Sequence, residues 1–262
     1  MNHLFRVGQL VALNSVPVAG LLWAGWSDGT ALTLYVCENL IMIVLVALRM
    51  SLHRKATNKR GHYVELKVSN DGGRTWRKKT STYTKSFLLM AAFFIAGQWA
   101  FLFVVLHKLE WPVDLHALRQ GVIAAAICLV IGFILDLQGL RERPFIWIRT
   151  MADGTLWRIC VVLITVTAGL WIATALDLPK AIFIVFASLK LFTDIANQFP
   201  QYNPDEAPDW LLRASRATGL GGDFAQYWRD ERSMETSNAA RDEEPFDGHA
   251  SGTSEPVSIS NG

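Results

Sequence analysis

The chain has 262 residues, 51% of them hydrophobic and only 18% charged, with ten Trp and fourteen Phe. That is too little charge to cover the surface of an ordinary soluble enzyme, and it points away from a cytosolic domain. The formal net charge of +2 hides an uneven distribution, since residues 1–199 carry +9 and residues 200–262 carry −7.

Six apolar stretches follow one another, at 7–26, 31–52, 87–109, 121–137, 156–176 and 178–199. Each approaches the roughly 20 residues that a helix needs to cross a bilayer. The stretches are apolar on every side and do not alternate, so each must satisfy its backbone internally, as a helix and not as a barrel strand. The expected fold class is all-α, a polytopic transmembrane helical bundle of six helices with a small cytoplasmic β-hairpin and a disordered tail. The fourth stretch is the shortest, and if it does not cross, the count is five.

The first stretch follows a short N-terminal segment with a single basic residue, Arg6, and is not ended by a clear small-residue cleavage pattern. It reads as a retained signal anchor. Asn14 and Pro17 lie inside it. The second stretch carries Glu38, and after it the loop 53–85 holds ten Lys or Arg against Glu65 and Asp71. Short cytoplasmic loops retain basic residues, so this loop is expected inside the cell. Arg141, Arg143, Arg149 and Arg158, counted with the loop before the fifth stretch, fall on the same side. Both termini are then cytoplasmic. Trp23, Trp26, Trp111, Trp147 and Trp157 come near expected helix ends, where indole rings favour the headgroup region.

Within the basic loop, Val64-Glu65-Leu66-Lys67-Val68 alternates as a strand does. Asn70-Asp71-Gly72-Gly73 is turn chemistry, and the alternation resumes at Arg74. A β-hairpin is expected. Ser69, Asp71, Gly73 and Trp76 resemble the Asp-box turn of sialidase-type propellers, in which the carboxylate bonds turn amides and the Trp packs over the hairpin. A single copy builds no propeller, so its role here reads as structural.

The third stretch has Gln98 near its middle. After it, His107, Glu110, Asp114 and His116 gather within ten residues. Their spacing matches no helical metal-ligand motif, which leaves His107 and His116 as weak candidates and an ordinary polar loop as the competing reading. Cys37, Cys128 and Cys160 all lie in apolar stretches, where neither a disulfide framework nor a zinc site is expected. No phosphate loop, His-Glu-x-x-His pattern or nucleophile elbow occurs, so no cofactor is implied and an enzyme is the least favoured class.

The sixth stretch carries Lys190 and Asp194. Ionisable groups are expensive in hydrocarbon and face other helices or wet cavities, so Glu38, Lys190 and Asp194 are singled out as the intramembrane site, with Asn14 and Gln98 beside them. Lys190 stands roughly 18 Å into its helix. It can pair with Glu38 across helices or with Asp194 at i, i+4. One reading is an ion pair that fixes helix packing, and the other is an ion or proton relay.

Beyond the bundle, residues 200–262 form an acidic cytoplasmic tail. Short helices are expected at 209–217 and 223–232, both able to lie on a membrane surface, with disorder after about 234. The acidic tail either contacts the basic loop or is simply solvated.

Asn14-x-x-Pro17, Tyr35-x-x-Glu38, Arg143-Pro144-Phe145 and Leu189-Lys190-x-x-x-Asp194 together resemble an uncharacterised prokaryotic multi-pass membrane family, domain of unknown function 6498. The resemblance covers about residues 10–197. It implies a prokaryotic inner-membrane location and no established activity. Where the family tends to His-rich middle helices, this chain has Gln98-Trp99 and Leu135-Asp136.

Two functions follow as expectations. One is a transport-like protein with a polar intramembrane site for a small ion or solute. The other is a non-catalytic scaffold or assembly protein that binds partners through its loop and tail. Expected partners are the lipid bilayer, anionic headgroups at the basic loop, and either a homo-oligomer or a cytoplasmic protein; nucleic acid is not expected.

Overall fold

The computed structural model describes residues 3–69, 75–176, 188, 190–192, 194, 195, 204, 206–219 and 224–246. The described chain is mostly helical: α1 (His3–Trp23), α2 (Asp28–Thr57), α3 (Tyr83–Lys108), α4 (Leu115–Leu137) and α5 (Phe145–Leu176). Of the expected sixth stretch, residues 188, 190–192, 194 and 195 are helical, and the rest of it lies outside the described residues.

Local chemistry sets the helix ends. Ser27 caps α2 by accepting from the Thr30 amide at 3.1 Å, and Asn58 closes it in the left-handed region at φ 47°. Asp114 caps α4 by accepting from the amides of His116 at 2.8 Å and Ala117 at 3.2 Å. Pro144 stands immediately before α5, where its fixed φ favours helix initiation and its missing N–H is not needed. The helix therefore begins at Phe145, eleven residues ahead of the fifth apolar stretch.

The second helix is the hub. Its Tyr35 and Val36 pack with Leu102 and Val105 of α3 and Val162 of α5. Ile43, Val46 and Met50 meet Phe87 and Ala91 of α3, with Phe145, Ile148 and Ile159 of α5. Leu34 joins Leu13 of α1 and Ala125 of α4. The share of the apolar run that is buried is 61% in α2 but 28% in each of α3 and α4. The outer helices instead expose large apolar side chains such as Leu89, Phe93, Phe103, Ile127 and Ile134. Water disfavours such a belt and lipid tails accept it. By length and composition, α2, α3 and α4 are each able to cross a membrane.

Between α2 and α3, a 3-10 turn (Arg60–His62) leads into β1 (Tyr63–Ser69), which pairs antiparallel with β2 (Thr75–Thr82). The register places Val68 opposite Trp76 and Ser69 opposite Thr75, with a bulge between Val64 and Glu65. The hairpin forms where the alternation predicts it. The residues expected to form an Asp-box-like turn, including Asp71 and Gly73, lie outside the described residues.

A first tail helix (Asp209–Ala217) matches the expected boundaries, and a second (Phe224–Glu243) runs past 234, from which composition alone predicts disorder. The added helical turns end in a docking contact: Glu243 and Glu244 reach Lys59 and Arg60 of the basic loop. Ordering there is supplied by a partner surface that composition does not register.

Candidate functional site

Glu38 projects from α2 ten residues after its first residue, roughly 15 Å along the helix. Arg158 lies thirteen residues into α5, roughly 20 Å along. Lys190 and Asp194 come from the sixth stretch and Asn14 from α1. The five side chains converge, and none of these residues is more than 5% exposed.

Lys190 Nζ donates to Asn14 Oδ1 at 2.7 Å, to Glu38 Oε1 at 3.2 Å and to Asp194 Oδ2 at 3.2 Å. These bonds use all three ammonium protons. Asn14 Nδ2 donates to Asp194 Oδ2 at 2.9 Å. Arg158 Nη2 donates to Glu38 Oε1, and Arg158 Nε stands 3.0 Å from Asp194 Oδ1. Lys190 Nζ also lies 4.8 Å from the centre of the Tyr35 ring. Two cations face two carboxylates, so the cluster has no net formal charge.

The two pairings that the sequence leaves as competitors coexist, because Lys190 bonds Glu38 and Asp194 at once. Arg158 is the member that sequence reasoning missed. Counting it among the loop arginines placed it at a helix end, whereas the early start of α5 carries it into the bundle. Pro144 was the available signal.

Gln98 does not join this cluster. Its Oε1 accepts from Asn39 Nδ2 at 3.2 Å and its Nε2 donates to Ile159 O at 3.1 Å, which stitches α2, α3 and α5 together. Nearer the basic end, Arg49 Nη2 pairs with Asp136 Oδ2 at 3.1 Å, and Arg143 approaches the same carboxylate at 3.9 Å. This second buried pair, between α2 and α4, was also missed.

At the end of α2, His53 Nε2 lies 3.0 Å from Arg143 O, and a carbonyl only accepts, so that nitrogen carries the proton. With the ring neutral, His53 Nδ1 accepts from His62 Nε2 at 2.8 Å. His62 Nδ1 is then an unprotonated acceptor, buried and without a partner among the described residues. Burial is the largest cause that pushes His62 down to about 3, with His53, Arg54 and Lys59 adding to it.

The weak metal candidates do not converge. His107 stacks on Phe103, His116 meets Gln120 at 3.1 Å, and Asp114 is occupied as a helix cap. Among the described residues no group of three or more His, Cys, Asp or Glu side chains gathers to hold a metal ion. Ser69 and Trp76 are placed by their backbones in β1 and β2. Cys37, Cys128 and Cys160 are free thiols, each partly buried.

A helical bundle with apolar outer faces around a buried charge cluster defines the broad class, a protein compatible with a membrane. Residues 4–210 match the Family of unknown function (DUF6498), and the chain belongs to that family. Neither a curated protein nor a solved structure gives a match.

Proposed function

We propose that this chain is a multi-pass protein of a prokaryotic inner membrane, with six spans and both termini cytoplasmic, and that it moves a proton or small ion by way of the Glu38, Arg158, Lys190 and Asp194 cluster. The observation that carries this reading is the cluster itself. Taking four ionised groups out of water costs several kcal/mol each, and apolar side chains of similar volume hold helices together at least as well. Packing alone therefore gives little reason for two cations and two carboxylates in the middle of a bundle. A neutral, mutually bonded cluster can instead respond to one proton. Protonating Glu38 or Asp194 leaves the two cations facing a single anion, and the balance between α2, α5 and the sixth stretch changes.

The scaffold reading retains one specific support: every charge has an opposite partner and none of the four residues exceeds 5% exposure. Purified protein reconstituted into liposomes that enclose a pH-sensitive dye separates the two. Transport predicts proton movement under an imposed gradient, lost in a folded Glu38→Gln variant. Absence of flux for protons and for alkali cations, with Glu38→Gln unfolding in detergent, would return the cluster to a packing role.

A further inference from the structure

The second tail helix ends in a seat built from the basic loop and the start of α5. Glu243 Oε2 accepts from Lys59 Nζ at 2.5 Å, and its Oε1 accepts from the amide of Phe145, the first residue of α5. Glu244 Oε2 accepts from Arg60 Nη1 at 3.2 Å, while its carbonyl accepts from the Arg60 amide at 2.7 Å. Asp242 stands 4.0 Å from Arg149. The chain then continues as a backbone latch. Phe246 N–H donates to Asn58 O at 2.9 Å, Asn58 Nδ2 donates to Phe246 O at 3.1 Å, and the Tyr63 and Phe246 rings stack at 4.0 Å.

We propose that Lys59, Arg60 and the N-terminus of α5 form a headgroup site for anionic phospholipid, and that the acidic segment 242–244 is its built-in competitor. The inference goes beyond the transport reading. It requires only that the ends of α2 and α5 lie at a bilayer surface.

Three observations support it. The donors are the Lys59 ammonium, Nη1 of Arg60, whose Nε and Nη2 are held by Glu65, and the helix-terminal amide of Phe145, a set that suits phosphate oxygens as well as the carboxylates now seated there. The seat follows directly on the apolar run of α2, which puts it at the depth of lipid phosphates, and Arg54 and Lys55 stand next to it in the sequence. The contact is also open to exchange. The Arg60 and Glu244 side chains are 26% and 58% exposed, and an ion pair this accessible contributes only about 0–1 kcal/mol, whereas Lys59 and Glu243, at 20% and 33%, form the more enclosed pair that a headgroup has to displace. In a zwitterionic membrane the tail holds the seat. An anionic membrane offers headgroup phosphates whose charge no choline offsets, and the negative surface potential both draws the basic seat to the lipid and repels the acidic segment, which is released.

The test uses the full chain without its native cysteines, reconstituted in bilayers and spin-labelled at Ala56→Cys and Ala240→Cys, both exposed positions, with interlabel distance as the readout. Phosphatidylcholine bilayers should give one short distance. Bilayers with about 30 mol% phosphatidylglycerol at matched ionic strength should raise a long-distance population by at least about threefold. Glu243→Gln with Glu244→Gln should give the long distance in both bilayers. Lys59→Gln with Arg60→Gln should give it in both and abolish the lipid response. Identical distributions in the two unmodified samples would overturn the proposal. Equal release by millimolar inorganic phosphate in phosphatidylcholine would overturn it too, by making a soluble anion the ligand.

Discussion

Arg158 Nε stands 3.0 Å from Asp194 Oδ1, and through this contact α5 is tied to the sixth stretch beside a carboxylate that Lys190 also holds. The arrangement makes the four charges interdependent. Arg158→Met leaves two carboxylates facing Lys190 alone and should lower folded yield and stability by about 3–5 kcal/mol, the usual penalty for stranding a buried charge. Adding Glu38→Gln restores neutrality and should recover at least half of that loss. Thermal unfolding of both single variants and the double variant measures the coupling. Additive losses would show that the charges do not act as one unit.

A second prediction concerns acid. His62 is held neutral by burial, at about 3 against an ordinary value near 6.5. A site whose folded value is depressed contributes stability that is present above the unfolded value and lost as the pH falls through the window down to the folded one. Stability should therefore decline from about pH 6.5 towards pH 3, by up to about 1.4 kcal/mol per pH unit for this one proton. The neighbouring charges of Arg54 and Lys59 add to the same depression. His62→Gln keeps an N–H directed at His53 without a titrating ring, and should flatten the upper part of the profile measured by thermal melts in detergent.

The early start of α5 explains much of what the sequence did and did not reveal. Apolar runs locate α2, α3 and α4 because a helix long and apolar enough to cross a membrane is marked by composition alone. Glu38, Lys190 and Asp194 stood out by the same rule, since each interrupts such a run. Arg158 did not, because a charge near the edge of an apolar run reads as a loop charge unless the helix start is recognised, and Pro144 carried that signal. Arg49 and Asp136 were hidden in the same way, each near the end of its stretch. The pairing of His53 with His62 has no linear signature at all. It depends on the chain reversing through the 3-10 turn, which the sequence marks only with Gly61.

A third prediction separates hydrogen bonding from charge inside the bundle. Gln98 bridges Asn39 and the Ile159 carbonyl, so Gln98→Leu leaves Asn39 Nδ2 without this acceptor and the carbonyl without this donor. The expected loss is about 1–2 kcal/mol in thermal or denaturant unfolding. Pairing it with Asn39→Leu removes the stranded amide and should be milder than the single change. Proton flux should be unaffected in folded Gln98→Leu protein, since Gln98 does not touch the charge cluster.

The last prediction tests how closely the helices approach at the other end. Trp26 fills the space beside two glycines, Gly20 of α1 and Gly121 of α4, and a Cβ added at either position would overlap its indole ring. Leu34 of α2 also lies against Gly121, so the ring seals a junction of three helices. Trp26, which the sequence puts near a helix end, is thus a packing residue. Gly121→Val should destabilise the bundle by about 1–3 kcal/mol through overpacking. Trp26→Leu should relieve much of that loss in the double variant, because a smaller side chain makes room for the added methyls. A thermal-melt cycle of the two single variants and the double variant decides it: an unrelieved loss would mean that the close approach is set by the helix backbones and not by the ring between them.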